Sequence, residues 1–205
     1  MVNMPGLVLP QPFQKILVVG PLYDKIDKLS RLSDLALEYD WIIFNGGLCY
    51  PSDDIEQVKD RIVKMKQFIT AHQAAYLVGR SDYLLLTKTK DRDIENWVNG
   101  SYNVVLLDFS SRGVVVTDGG IPDWITKRTE LLDCLEASFL SRVDGKPWHE
   151  TYNGRIGYVI TNNPLTDKHP KYYRHSMQLG NSYSPENAVY AVEVDEIGLK
   201  KTIVL

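Results

Sequence analysis

Catalysis needs side chains that take a proton, attack, or hold an ion, and in this sequence such side chains are sparse where they would matter. A thiol, Cys49, stands in Gly46-Gly47-Leu48-Cys49, just past an apolar run, where a nucleophile could sit. No histidine is tied to it by motif and neither cysteine begins a C-x5-R phosphate loop, so a partly buried, inert thiol is expected. G-x-S-x-G, G-x-x-x-x-G-K-S/T and G-x-G-x-x-G are all missing, so nucleophile-elbow hydrolases, P-loop NTPases and dinucleotide binders lack their signatures. Of the four histidines, His72 falls at the end of a predicted helix, while His149, His169 and His175 lie in or beside turn-rich segments. Surface or supporting roles are expected for all four. The exception would be His149, in Trp148-His149-Glu150-Thr151-Tyr152, if that linker folded over a cleft.

The elements that would position any such group are easier to read. Apolar runs at 16–19 and 41–44 predict buried strands, the first turning at Gly20-Pro21 and the second ending in Gly46-Gly47. Between them, Ile26, Leu29, Leu32, Leu35, Ala36 and Tyr39 repeat at helical spacing and predict a helix over 25–39 with one core face. A second helix should open near Ser52 to Asp54, whose side chains can cap free N–H groups, and carry Ile55, Val58, Ile62, Met65 and Ile69. A third strand is predicted at 75–79. This is βαβαβ, which calls for parallel pairing. In open α/β sheets, chemistry gathers past the carboxyl ends of such strands. Here the first two ends read Pro21-Leu22-Tyr23 and Gly47, with no acid, histidine or nucleophile.

Beyond Asp82, residues 84–86 and 88–95 read as a lid-like helical insertion closed by Asn99-Gly100. Runs at 103–109 and 113–117 predict a hairpin across Ser110-Ser111-Arg112. A helix over 123–139 would bury Trp124, Leu131, Leu132, Leu135 and Phe139, followed by a turn-rich linker at 144–155. Strands are expected at 156–161, 176–179, 188–194 and 202–205, the last two flanking a hairpin turn at Asp195-Glu196-Ile197-Gly198. The order is α/β first and mostly antiparallel β afterwards, predicting two sheets face to face with helices outside, in a single domain over 1–205 with an irregular arm at 1–14.

At 205 residues, 44% hydrophobic and 24% charged, the chain can bury a substantial core. Its net charge of −3, with no basic run, argues against nucleic-acid binding. No apolar stretch approaches the roughly 18 residues a membrane helix needs. The N-terminal residues lack a positive segment, and the two cysteines form no framework, so a reducing, cytoplasmic setting is expected.

Five strand-end stretches recur in order: Gly20-Pro21-Leu22-Tyr23-Asp24, Gly46-Gly47-Leu48-Cys49-Tyr50-Pro51-Ser52, Gly79-Arg80-Ser81-Asp82, Asp118-Gly119-Gly120-Ile121-Pro122 and Thr161-Asn162-Asn163-Pro164. Together they resemble the loops of the calcineurin-like metallophosphoesterases, particularly the serine/threonine phosphatase and dinucleotide-polyphosphate hydrolase branch. That family reads G-D-x-H-G, G-D-x-x-D-R-G, G-N-H-D or G-N-H-E, H-G-G-x-P and G-H-T-P at these places. Ile26-Asp27-Lys28-Leu29, the ending Leu179-Gly180-Asn181 and the strand Ala191-Val192-Glu193-Val194 extend the likeness over 16–205. The resemblance implies a two-sheet α/β/β/α sandwich.

It also implies which positions once carried the reaction, and there the chain departs from the pattern. The aligned metal ligands of the first loop are Pro21 and Tyr23, the bridging aspartate is Gly47, the asparagine ligand is Arg80 and the catalytic histidine is Ser81. Two later histidine ligands are Asp118 and Asn162, and only Asp82 keeps the family's identity. Two-metal hydrolysis needs oxygen and imidazole ligands holding cations about 3.5–4 Å apart. Proline and glycine offer none, and arginine stays protonated. The resemblance therefore implies a pseudophosphatase, with no catalytic residue and no cofactor, acting through a protein partner or a small anionic ligand. The rival expectation is a phosphomonoester or nucleotide hydrolase with one weakly bound Mn or Mg ion among Asp24, Asp82, Asp118 and Asn162. Arg80 is expected either to hold an anion or, preferably, to pair internally with Asp82 or Asp118 in place of the lost cations.

Overall fold

The computed structural model describes residues 4–9, 12–109, 113–135, 140–162, 169–180 and 188–205. A two-residue strand β1 (Leu7–Val8) lies within the arm expected to be irregular, and Met4, Leu9 and Phe13 around it are buried. Next come β2 (Lys15–Val19), α1 (Lys28–Leu35), β3 (Trp41–Asn45), α2 (Ile55–Ala71) and β4 (Ala74–Leu77). As predicted, β2 to β4 pair in parallel around α1 and α2, and Asp54 caps α2 by accepting from the N–H groups of Glu56 and Gln57. Helices α3 (Arg80–Lys88) and α4 (Arg92–Asn99) follow. They form no separate lid: Leu85, Ile94, Trp97 and Val98 are buried in the core that α1 and α2 make with the sheet.

The later chain contains β5 (Val104–Asp108), β6 (Gly113–Thr117), β7 (Arg142–Val143), β8 (Lys146–Pro147), the single turn α5 (Trp148–Thr151) and β9 (Tyr158–Thr161). It ends with β10 (Lys171–Tyr172), β11 (Ser176–Gln178), β12 (Tyr190–Asp195) and β13 (Gly198–Val204). One sheet runs β13, β12, β2, β3, β4 and the other β1, β5, β6, β9, β11, β10. The predicted hairpins β5–β6 and β12–β13 are both antiparallel, and Asp195 closes the second by accepting from the N–H groups of Ile197 and Gly198.

Two expectations need correcting. The second sheet is mixed, because β9 pairs in parallel with both β6 and β11; the long connections at either end of β9 let the chain return in the same direction. No α-helix spans 123–135; residues Arg128–Leu131 make a short 3-10 turn instead. Arg155 explains why. Its guanidinium takes the carbonyl oxygens of Ile125 and Pro122, at 2.7 and 2.6 Å, acceptors that a helix would have needed. Glu130 meanwhile takes the N–H groups of Thr126 and Lys127, so Trp124 stays 60% exposed instead of joining a core face. Phe139, the turn 110–112 and Asn163-Pro164 lie outside the described residues.

Alternation along the strands assigns three apolar layers. Leu17, Ile42 and Phe44 face the helices; Val18, Ile43, Leu77, Val116 and Ile160 face inward between the sheets; Val115 and Val159 face an outer layer with Trp148, Ile125 and Leu131. No helix among the described residues is long and apolar enough to cross a membrane.

Candidate functional site

Two residues beyond an inward-facing side chain, the same strand or its extension points inward again. From Val18 that position is Gly20, from Ile43 it is Asn45, from Leu77 it is Gly79, from Val116 it is Asp118 and from Ile160 it is Asn162. The five predicted loops therefore converge at one end of the space between the sheets. The contacts are close. A Cβ on Gly46 or Gly79 would lie 2.8 or 3.1 Å from Asp118 Oδ1, and one on Gly20 would lie 3.6 Å from Asn162 Oδ1.

The loops after β2 and β3 are joined through the Gly47 peptide. Its carbonyl accepts from the N–H groups of Leu22 and Tyr23 at 3.0 and 2.7 Å, and its own N–H donates to Asp82 Oδ2 at 3.2 Å. Gly46 and Gly47 have φ of 73° and 70°, which glycine adopts without cost. Pro21 and Tyr23 pack directly on Gly47: a Cβ there would lie 2.4 Å from Pro21 Cβ and 3.1 Å from Tyr23 Cζ. Tyr23 itself has a φ of 46°, unusual for a tyrosine, and its ring stacks on Tyr50 at 4.1 Å between centroids.

Asp82 is 2% exposed and both its carboxylate oxygens are used within the protein. Oδ2 accepts from Gly47 N–H, Gly79 N–H and the Tyr76 hydroxyl at 2.6 Å; Oδ1 accepts from Leu48 N–H, Cys49 N–H and the Cys49 thiol. Burial raises the Asp82 pKa against the pull of these donors. The same burial, with Asp82 beside it, pushes the Cys49 thiol far above its ordinary range and so favours the protonated form. A part-buried ion pair steadies the next turn: Asp53 accepts from Arg61 at 2.5 Å and from Tyr50 N–H at 2.7 Å.

Asp118 sits against the first residue of α3, where Arg80 N–H donates to its Oδ2 at 2.8 Å. Desolvation lifts its pKa to about 7, Arg80 N–H and the Asn162 amide opposing the rise. That amide lies near enough to act on the carboxyl, yet neither of its polar atoms, nor either of Asn45's, reaches hydrogen-bond geometry with any partner; both residues are buried. The expected Arg80 ion pair is not formed. Arg80 is exposed, and it is its backbone N–H, not its guanidinium, that meets Asp118. Helix formation at Arg80 aims the N–H at the carboxylate and sends the side chain outward. Asp24 is exposed and Ser81 half-buried, and neither is brought into the cluster by a hydrogen bond.

Three histidines make hydrogen bonds, none of them with Asp82 or Asp118. His149 Nδ1 pairs with Gln178 Nε2 at 2.8 Å on the outer side of the second sheet, where Trp148 covers Gly120. His72 meets Ser33, and His169 meets the Tyr190 hydroxyl at 3.0 Å. Sequence reasoning missed Asn45 and Tyr76. Strand alternation carried the signal for Asn45, two residues past Ile43; nothing in the sequence links Tyr76 to Asp82.

The metals that such a loop arrangement implies in phosphoesterases do not fit these residues. A ligand-bearing side chain at position 47 would collide with Pro21, and Asp82 has no lone pair to spare. Among the described residues, no group of three or more His, Cys, Asp or Glu side chains is placed to hold a metal ion.

No protein-family model and no curated protein matches the sequence. Solved structures do match. A provisionally assigned diadenosine tetraphosphatase superposes with a TM-score of 0.67 at 14% identity, covering 98% of each chain. A serine/threonine phosphatase from Saccharomyces cerevisiae gives 0.59 at 12% identity, over 98% of this chain and 82% of that one. An archaeal phosphodiesterase gives 0.50 at 11% identity, over 93% and 99%. The fold is that of the calcineurin-like metallophosphoesterases.

Proposed function

We propose that this protein is a non-catalytic relative of the metallophosphoesterases, a pseudophosphatase that works by binding a protein or a small anion. The observation that carries this reading is the packing of Pro21 on Gly47, which puts a proline ring where a bridging carboxylate would have to enter. Asp82 and Asp118 support it, since each serves a protein N–H group instead of standing free. A shared fold does not transfer activity, and the phosphatase and phosphodiesterase activities named for the structural neighbours belong to those proteins. The test is turnover of p-nitrophenyl phosphate by the purified protein with added Mn²⁺. A rate no higher than that of buffer with Mn²⁺ is expected. Turnover that Asp118→Ala abolishes would replace it with a hydrolase built on one cation near Asp118 and Asn162.

A further inference from the structure

A cavity of about 320 Å³ opens between α2, the end of α4 and the first residues of β4, at the opposite end of that strand from Gly79. Its inner wall is a sheet edge. Gln73 C=O accepts from Ile42 N–H on the β3 side, so by alternation the backbone groups of Ala74, Tyr76 and Val78 point away from β3. Tyr102 meets the later pair: its N–H donates to Tyr76 C=O at 3.1 Å and its C=O accepts from Val78 N–H at 2.8 Å. One step earlier, Ala74 C=O and Tyr76 N–H offer the same acceptor and donor. Gly100 would have to meet them, but its N–H is turned back to the Asn96 and Val98 carbonyls at the end of α4. The pairing is thus a single bridge, Leu77 to Tyr102, and the cavity lies where the next pair would form, against Ala74, Tyr76 and Gly100. The rest of the lining narrows the choice of occupant. Ile69, Tyr76 and Trp97 supply an apolar and aromatic wall, and Lys66 stands exposed at the rim with its ammonium 5.9 Å from the centre of the Trp97 ring. A flat base whose edge carries one donor beside one acceptor satisfies the strand pair, and an anionic group on its far side meets Lys66. We propose that the start of β4 binds an adenine nucleotide, the amino group donating to Ala74 C=O, the neighbouring ring nitrogen accepting from Tyr76 N–H and the phosphate facing Lys66. Guanine fits less well, because its second donor would be left against the apolar wall. The site goes beyond the non-catalytic reading and does not rest on it, since no residue of the strand-end loops takes part.

Titration of the isotope-labelled full chain with AMP, followed through the backbone amide resonances, tests the proposal. The Tyr76 amide should move saturably, with a dissociation constant on the order of 0.1 mM. Adenosine and GMP should each bind about tenfold more weakly, the first for want of the phosphate and the second for its unpaired donor. Lys66→Gln should bring AMP to the affinity of adenosine and leave adenosine unchanged. Ala74→Leu, which adds bulk to the lining, should abolish the response to both. Lys66 is exposed, so Lys66→Gln keeps the test decisive if Ala74→Leu fails to fold. A Tyr76 amide that stays still in wild type, AMP that binds Lys66→Gln as tightly as wild type, or GMP that binds as tightly as AMP would overturn the proposal. So would shifts centred on Gly47 and Gly79 that survive Ala74→Leu, which would put AMP between the strand-end loops instead.

Discussion

At the scale of the residue, two aspartates differ sharply in what they do. Asp82 is a hub whose loss would strand the N–H groups of Gly47, Cys49 and Gly79 together with the Tyr76 hydroxyl, while Leu48 N–H would keep only the Tyr76 oxygen as acceptor. Asp82→Ala should cost roughly 3–5 kcal/mol, lowering Tm by about 10 °C, because several buried donors lose their acceptor at once. Denaturant unfolding would measure it. Asp118 is a titrating group. With its folded pKa raised to about 7, the folded state holds this proton more tightly than the unfolded state does. Its contribution is therefore complete below about pH 4 and is lost as pH rises towards 7. Asp118→Asn cannot titrate, so the difference in stability between variant and wild type should grow across that window. It should reach roughly 1–2 kcal/mol at pH 8 in favour of the variant, the full shift being discounted for the residue's partial exposure. Thermal melts of both proteins from pH 4 to 8 would show it. Asp82 was recognisable as a retained acid in the sequence, but its Tyr76 partner was not. The Arg80 role was misplaced because a one-dimensional pattern cannot tell a backbone donor from a side-chain one.

At the scale of the element, the loop after β3 is set by what surrounds it. Gly47→Asp, which introduces the acid of the phosphoesterase motif, should destabilise by roughly 2–4 kcal/mol, because a side chain must enter at a positive φ and against Pro21. It should leave Mn²⁺ binding no stronger than in wild type. Calorimetric titration and chemical denaturation would report both. The strands and helices that build this loop were legible: Ile16–Val19 and Trp41–Phe44 read as buried runs, and the stripe of Leu29 and Leu32 fixed the face of α1. The absent helix at 123–135 was not legible. Its pattern was adequate locally, and it was undone by Arg155, a residue about thirty positions further on, taking the carbonyls of Pro122 and Ile125. Local propensity is a weak prior when a distant donor competes for the same acceptors.

At the scale of the whole molecule, the order of loops led to the fold although no sequence match supports it. What survived is the meeting of strand ends between two sheets, a property of backbone path. What could not be read was how the loops pack on one another, because Pro21 on Gly47 and Asp118 against Arg80 are contacts between segments about 26 and 38 residues apart. In the proposed non-catalytic reading, side chains and N–H groups fill the place that cations hold in active phosphoesterases. Metal analysis of the purified chain after loading with excess Mn²⁺ and desalting tests it most directly. The expected result is well under one equivalent of metal per chain, and two retained equivalents would contradict the claim.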